Sequence, residues 1–121
     1  MNVQLIWQRF ESLTAARAAY KTIPCVYAQA DRDGRVVRVG KASKGLQRRY
    51  YGGTGWALDA AMHGSGNLVF VAATDRAEIV ESTLIWDHRA SLPYNNVGRR
   101  VAPAVRVEIE HAGQVPVFDE N

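Results

Sequence analysis

The chain has 121 residues, a formal net charge of +3 and a hydrophobic content of 47%. This length and composition predict one globular domain over residues 1–121 and exclude a disordered or fibrous chain. The single cysteine excludes a disulfide framework and a zinc site made of several cysteines. The first residues do not resemble a signal peptide, and no segment approaches the ~20 apolar residues of a membrane span, so we expect a cytoplasmic protein without membrane contact.

The N-terminal part of the chain predicts a helix. Residues 2–7 are compatible with a short strand or with the lead-in to that helix, and the sequence leaves both open. Ser12 or Thr14 can cap the helix, which is rich in alanine. The helix should end before Pro24, because the residue ahead of a proline disfavours helical backbone.

A β-hairpin is predicted next, with strands at residues 24–30 and 35–41. Its turn contains Gly34, which can take the positive φ that tight turns require. Cys25 falls within an apolar strand pattern, so we interpret it as a buried structural thiol rather than as a nucleophile.

The middle of the chain predicts a central strand followed by a long helix. A near-continuous apolar run is typical of a strand that is buried on both faces and is therefore central in its sheet. Thr74 or Asp75 can cap the helix that follows it. The predicted elements are helical pieces at 44–51 and 56–63, the strand at 67–74 and the helix at 75–88.

The C-terminal part predicts one more strand. Residues 104–110 alternate apolar and polar side chains, which favours an edge strand with one solvated face, and residues 111–114 predict a turn. The fold class is therefore α+β, a small mixed α/β sandwich in which helices cover a sheet.

The basic residues of the chain are concentrated around the hairpin. Seven of the fifteen Lys and Arg residues lie between positions 32 and 49. A hairpin that carries phenol, ammonium and guanidinium groups to one end is suited to hold a ligand with phosphates. The seven are Arg32, Arg35, Arg38, Lys41, Lys44, Arg48 and Arg49.

The sequence does not favour a tightly bound metal or a hydrolase triad. No two of the three histidines have ligand spacing, and Ser43 has no evident histidine partner. A loosely held Mg²⁺ is compatible with the sequence, since it needs only one or two carboxylates beside substrate phosphate. Glu81 is the candidate. It is compatible with a solvated position on the outer face of the helix, but its place beside Val80 and Leu84 favours a position at the border of a cleft.

Four separated motifs occur in the chain in a fixed order. They are Cys25-Val26-Tyr27 with Arg38-Val39-Gly40, then Gly40-Lys41-Ala42 with 45–49, then Glu81 with Leu84-Ile85, and finally Pro93-x-Asn95. In this order they resemble the motifs of the GIY–YIG nuclease superfamily, which includes the nuclease domain of the bacterial excision-repair incision subunit. The resemblance covers residues 23–96.

The resemblance implies a central three-stranded antiparallel sheet with flanking helices, to which this chain adds an N-terminal helix and a C-terminal strand or hairpin. It also implies an endonuclease that depends on Mg²⁺ or Mn²⁺ and acts on nucleic acid, expected to be DNA. By position, Tyr27 would position or activate the attacking water, and Arg49 would bind the scissile phosphate with Lys41 nearby. Glu81 would hold the metal ion.

The resemblance also implies contacts with the nucleic acid outside the reacting centre. Arg38, Lys44, Arg48 and Asn95 would make them, with Asn95 fixing the end of the site, and Gly40 would allow close packing. Arg48 and Arg49 both stand near the position of the motif's arginine. Three positions depart from the motifs. Cys25 replaces a glycine, Arg38 replaces the second tyrosine, and Gly53 stands where the family often has a His or Tyr.

Two other functions are compatible with the sequence. The first is a nucleic-acid-binding module that has the same fold but is impaired in catalysis, which the substitution at Arg38 favours. The second is a domain that binds a protein or a small ligand, with the arginines solvating its surface. Salt-sensitive binding to DNA would separate the first from the second.

Overall fold

The computed structural model describes residues 1–47, 68–92, 95 and 102–118. These residues form seven elements and a short 3-10 turn at Arg89–Ser91. The elements are β1 (Asn2–Phe10), α1 (Leu13–Ala19), β2 (Cys25–Ala30), β3 (Val36–Ala42), β4 (Leu68–Ala73), α2 (Ala77–Asp87) and β5 (Glu108–Gly113).

The five strands form one mixed sheet in the spatial order β3-β2-β4-β1-β5. Strand β2 pairs antiparallel with β3 on one side and with β4 on the other, and β4 pairs antiparallel with β1. Strand β5 pairs parallel with β1. The prediction of a buried central strand at 67–74 is confirmed, since β4 is the middle strand and five of its six residues are buried.

Each face of the sheet packs against one of the two described helices. Side chains of successive strand residues point to opposite faces, so Val26 and Ala28 of β2 pack with Val80 of α2. Tyr27, between them, packs on the other face with Ala16 of α1. We call these two sides of the sheet the α2 face and the α1 face.

The turn of the hairpin forms as predicted. Asp31 Oδ1 accepts hydrogen bonds from the backbone N–H groups of Asp33 and Arg35, at 2.9 and 3.0 Å. Gly34 has φ of 83°, in the left-handed region. The local side-chain acceptor and the glycine together fix the turn, and the turn fixes the register of β2 against β3.

The α+β class is confirmed, but several details of the predicted fold are wrong. The sheet has five described strands rather than three, because the N-terminal segment forms strand β1, and both β1 and β5 join the sheet. Strand β5 continues through residues 111–113, where a turn was predicted, because it pairs with β1 from Asn2↔Glu108 to Trp7↔Gly113. None of the described helices is long and apolar enough to cross a bilayer.

The helix predictions had mixed outcomes. Ser12 caps α1 as predicted, its Oγ accepting from the N–H of Ala15 at 3.1 Å. Arg76 is the N-cap of α2 and makes no side-chain capping bond, so a cap at Thr74 or Asp75 was wrong. Residues 44–47 form turns rather than a helix, and the other predicted helical positions, 48–51 and 56–63, lie outside the described residues.

The cysteine is buried in β2, as predicted for a structural thiol. Burial raises the pKa of the Cys25 thiol to about 12, because the apolar surroundings disfavour the thiolate. We therefore expect the native protein to react with a neutral-pH thiol reagent far more slowly than the urea-unfolded chain. Comparing the two labelling rates measures this, and equal rates would show that the thiol is accessible in the native state.

Candidate functional site

The ring of Tyr27 lies directly over Gly40 on the α1 face. The two residues are cross-strand partners in the β2–β3 pair. A methyl group at position 40 would overlap the phenol Cζ and oxygen and would lie 2.6 Å from Cε2. Since β3 is at one edge of the described sheet, glycine lets the buried ring extend across β3 and carry the Tyr27 hydroxyl toward that edge.

The side chain of Arg38 is held against the same hydroxyl. Its Nη1 donates to Gln29 Oε1 at 3.0 Å and makes a longer contact, 3.5 Å, with the Tyr27 oxygen. A guanidinium has only donors, so the phenol oxygen accepts and the phenol proton is directed away from Arg38. The residue that replaces the motif's second tyrosine therefore contacts the first one.

Asn95 binds the outer edge of β3. Its Oδ1 accepts from the backbone N–H of Val39 at 2.7 Å, and its Nδ2 donates to the Val39 carbonyl at 2.8 Å. The amide thus pairs with one residue of the edge strand as a neighbouring strand would. Val39 lies between Arg38 and Gly40, so Asn95 fixes the backbone that carries both.

The charged groups of the α2 face form a separate set. Lys41 is opposite Val26 in the β2–β3 register, and its Nζ lies 3.6 Å from Glu78 Oε1. The side chain of Glu78 is 78% exposed, so the ion pair contributes little to stability. Glu81 is one helical turn further along α2 and is half-buried.

The candidate site is therefore an edge rather than a pocket on one face. The side chains of Tyr27 and Arg38 lie on the α1 face of this edge. The side chain of Lys41 and the carboxylates of α2 lie on its α2 face. Lys44 is exposed in the turn that follows β3, and Arg48 and Arg49 lie outside the described residues.

A cleft of about 380 Å³ lies beside this edge, where β3 ends and α2 begins. It is lined by Pro24, Ser43 and residues 75–79, and Glu78 belongs both to this cleft and to the ion pair with Lys41. Within the described ranges, no three His, Cys, Asp or Glu side chains converge as a preformed metal cage.

Sequence reasoning missed Gln29. This side chain is 1% exposed, lies on the α1 face and is the cross-strand partner of Arg38. Counting outward from the turn at Gly34 would have placed the two residues near one another. A bulge between Gln29 and Ala30 shifts the register by one residue, however, and the sequence gives no sign of it.

The carboxylate of Asp87, at the end of α2, is paired with an arginine. Arg106 donates Nε to Asp87 Oδ1 at 3.0 Å and Nη2 to Oδ2 at 2.7 Å. This forked pair joins the end of α2 to the segment before β5 and is remote from the hairpin edge.

Comparisons with protein-family models, with curated proteins and with solved structures found no match to this chain.

Proposed function

We propose that this protein is a metal-dependent endonuclease of the GIY–YIG type that hydrolyses phosphodiester bonds in DNA. The observation that carries the proposal is the meeting of three separated motifs at one edge of the sheet. Tyr27 of the first lies over Gly40 of the second, and Asn95 of the last binds the residue before that glycine. Contacts between residues as far apart as 39 and 95 are not implied by composition or by strand pattern.

The arrangement of the strands also supports the proposal. Strands β3, β2 and β4 form an antiparallel three-stranded unit, and α2 follows β4 and packs on this unit. The resemblance implies a three-stranded antiparallel sheet with flanking helices, so this part of the sheet supports the proposal. Strands β1 and β5 extend it on the β4 side, so β3 is at an edge of the described sheet, and Val117 bridges to Arg35 at the start of that edge.

The proposed roles follow from what phosphodiester hydrolysis requires. The attacking water must be aligned, charge on the phosphate oxygens must be neutralised, and the leaving oxygen must be stabilised. Tyr27 would align the water by donating its proton to it, because the phenol oxygen accepts from Arg38 and the proton points away from that residue. Arg49 would bind the scissile phosphate, with Lys41 on the adjacent side of the edge.

Glu81 would hold one Mg²⁺ or Mn²⁺ ion. A hard cation of this kind needs only one or two protein carboxylates when phosphate oxygens and water complete its shell, and the half-buried Glu81 fits that requirement. The ion would relieve negative charge at the phosphate and the leaving group. Lys44, Arg48 and Arg38 would bind the flanking phosphates, and Asn95 would support them by fixing β3.

Cleavage of supercoiled plasmid and of a labelled single strand, each with Mg²⁺ or Mn²⁺, tests the proposal. We expect wild-type cleavage that EDTA abolishes, and loss of cleavage in Glu81→Gln, because the amide removes the metal-binding charge. The matched control is Glu110→Gln, an exposed change at the far edge of the sheet. Equal cleavage by wild type and Glu81→Gln with every metal would refute the nuclease.

One observation favours the alternative of a binding module impaired in catalysis. The Arg38 contact occupies part of the Tyr27 oxygen, which a water molecule would otherwise use. This alternative predicts binding to DNA without cleavage, with an affinity that falls steeply as salt rises. Charge reversal at Lys44 should then weaken binding to all sequences alike, and unchanged binding would exclude it.

A further inference from the structure

Gln29 is a polar side chain in an otherwise apolar part of the sheet. It is 1% exposed, and its neighbours in β2 are Ala28 and Ala30, both buried. Its amide oxygen accepts from Arg38 Nη1 at 3.0 Å. Because a guanidinium only donates, the amide is oriented with its oxygen toward Arg38 and its nitrogen away from it.

In this orientation the amide nitrogen makes no hydrogen bond that would offset the free-energy cost of its burial. Gln29 Nε2 is buried and has no hydrogen-bond partner in the described part of the chain. A buried donor without an acceptor lowers stability, whereas methionine or leucine would fill a similar volume without that penalty. What glutamine offers at position 29 over methionine or leucine is therefore its amide oxygen, which contacts Arg38.

That contact determines where the guanidinium lies. Arg38 has a long, flexible side chain whose head group would otherwise sample many positions. The 3.0 Å bond to Gln29 is its shorter contact, and the 3.5 Å contact with the Tyr27 oxygen is the longer one. Gln29 and Tyr27 are two residues apart on the same face of β2, so an arginine anchored on the first is held beside the second.

We propose that Gln29 is a positioning residue, which holds Arg38 against the Tyr27 oxygen and thereby directs the phenol proton toward the reacting water. The inference rests on the proposed nuclease function and adds a residue that the motifs do not contain. It also gives Arg38 a defined task at this site, as the donor that orients Tyr27.

Four variants test the proposal. Gln29→Met keeps the volume and removes the acceptor, whereas Gln29→Glu keeps the acceptor. The other two are Arg38→Met and the double variant that combines Gln29→Met with Arg38→Met. The control is Gln4→Met, at an exposed position of β1. Arginine side-chain NMR, with the Arg38 signal assigned by its absence in Arg38→Met, reports on the guanidinium without requiring activity.

We expect Gln29→Met to speed hydrogen exchange of the Arg38 side chain by about tenfold, which is the loss of one hydrogen bond to a charged group. Gln29→Glu should keep exchange slow.

In the cleavage assay, Gln29→Met should lower kcat with little change in KM, and the change should vanish when Arg38 is already methionine. The melting temperature of Gln29→Met should equal or exceed that of wild type, because an unpartnered buried donor has been removed.

Two results would overturn the inference. One is unchanged Arg38 exchange in Gln29→Met, and the other is an equal effect of Gln29→Met on cleavage with and without Arg38. Failure of the nuclease proposal would look different. Wild type would then cleave nothing, while Arg38 exchange still increased in Gln29→Met and stayed slow in Gln29→Glu, which supports the positioning of Arg38 by Gln29.

Discussion

Replacement of Gly40 by alanine is expected to lower the free energy of unfolding by about 3 kcal/mol, the upper part of the usual range for overpacking a core. The new methyl group would overlap the Tyr27 ring. That ring is 1% exposed, and its strand is paired on both sides, with β3 and with β4. Neither the ring nor the backbone can shift without breaking pairs in the centre of the sheet.

Urea unfolding followed by circular dichroism measures this effect, and Gly34→Ala is the matched control. Gly34 has φ of 83°, but the methyl group would have room, since the nearest atom of Phe70 is 3.9 Å away. The control should therefore lose only about 1 kcal/mol, from backbone strain alone. In the background of Tyr27→Ala, Gly40→Ala should become nearly neutral. A loss at position 40 that equals the loss at position 34 would show that the ring does not lie over Gly40.

Local signals accounted for most of what the sequence predicted correctly. The cap at Ser12, the turn at Asp31 and Gly34, and the apolar run of β4 each depend on residues close together in the chain, and each was found where expected. Their free energy is set by neighbouring backbone groups, which the sequence displays directly.

The errors came from pairing between distant segments. Strand β5 pairs with β1 across 106 residues, Asn2 with Glu108, and this partner determines where β5 begins and ends. The alternation of Val105, Val107 and Ile109 suggested an earlier start. Val107 is indeed buried, but it packs ahead of the strand, with its N–H donated to Thr83 Oγ1. Apolar alternation therefore identified the buried residue but not its secondary structure.

The candidate site shows the same difference between local signals, which the sequence displays, and contacts between distant segments, which it does not. The motifs named Tyr27, Gly40 and Asn95 as a set, but not their contacts. The pairing of the Asn95 amide with the backbone of Val39 depends on how the chain returns to the β3 edge after α2. The role of Gln29 depends on a bulge, which changes the register without changing the pattern of residues.

The position of the site at a strand edge links stability with function. An edge strand leaves backbone N–H and C=O groups unpaired, and these invite association with other chains. Asn95 satisfies the two groups of Val39 with one side chain and occupies the width of a single residue. A full neighbouring strand would instead cover the edge where Tyr27 and Arg38 approach from one face and Lys41 from the other. The amide clamp therefore satisfies the edge at Val39 with one residue, as Val117 does at the start of β3, where it exchanges backbone hydrogen bonds with Gly34 and Val36.

Replacement of Asn95 by aspartate is therefore expected to lower the free energy of unfolding by about 3 kcal/mol at pH 7, the cost of leaving a buried charge without its partner. Asn95 is 8% exposed, and both polar ends of its amide are engaged with Val39. The substitution replaces the donor Nδ2 by a carboxylate oxygen, which faces the Val39 carbonyl and repels it. Asn95→Ala, which leaves the Val39 groups unpaired but adds no charge, should cost less, about 2 kcal/mol.

The pH dependence separates this explanation from a simple loss of packing. A protonated carboxyl regains one donor, so the folded state favours the protonated form and raises the pKa of the introduced carboxyl above its value in the unfolded chain. Above the pKa that the carboxyl has in the folded protein, Asn95→Asp has its full destabilising effect. This effect becomes smaller as the pH falls through that pKa toward the pKa of the carboxyl in the unfolded chain, which is about 4. Urea unfolding of Asn95→Asp relative to wild type between pH 7 and pH 4 measures this. The exposed change Asn2→Asp is the control and should show a small difference at every pH. A difference for Asn95→Asp that stays constant over this range would mean that its amide does not donate to Val39.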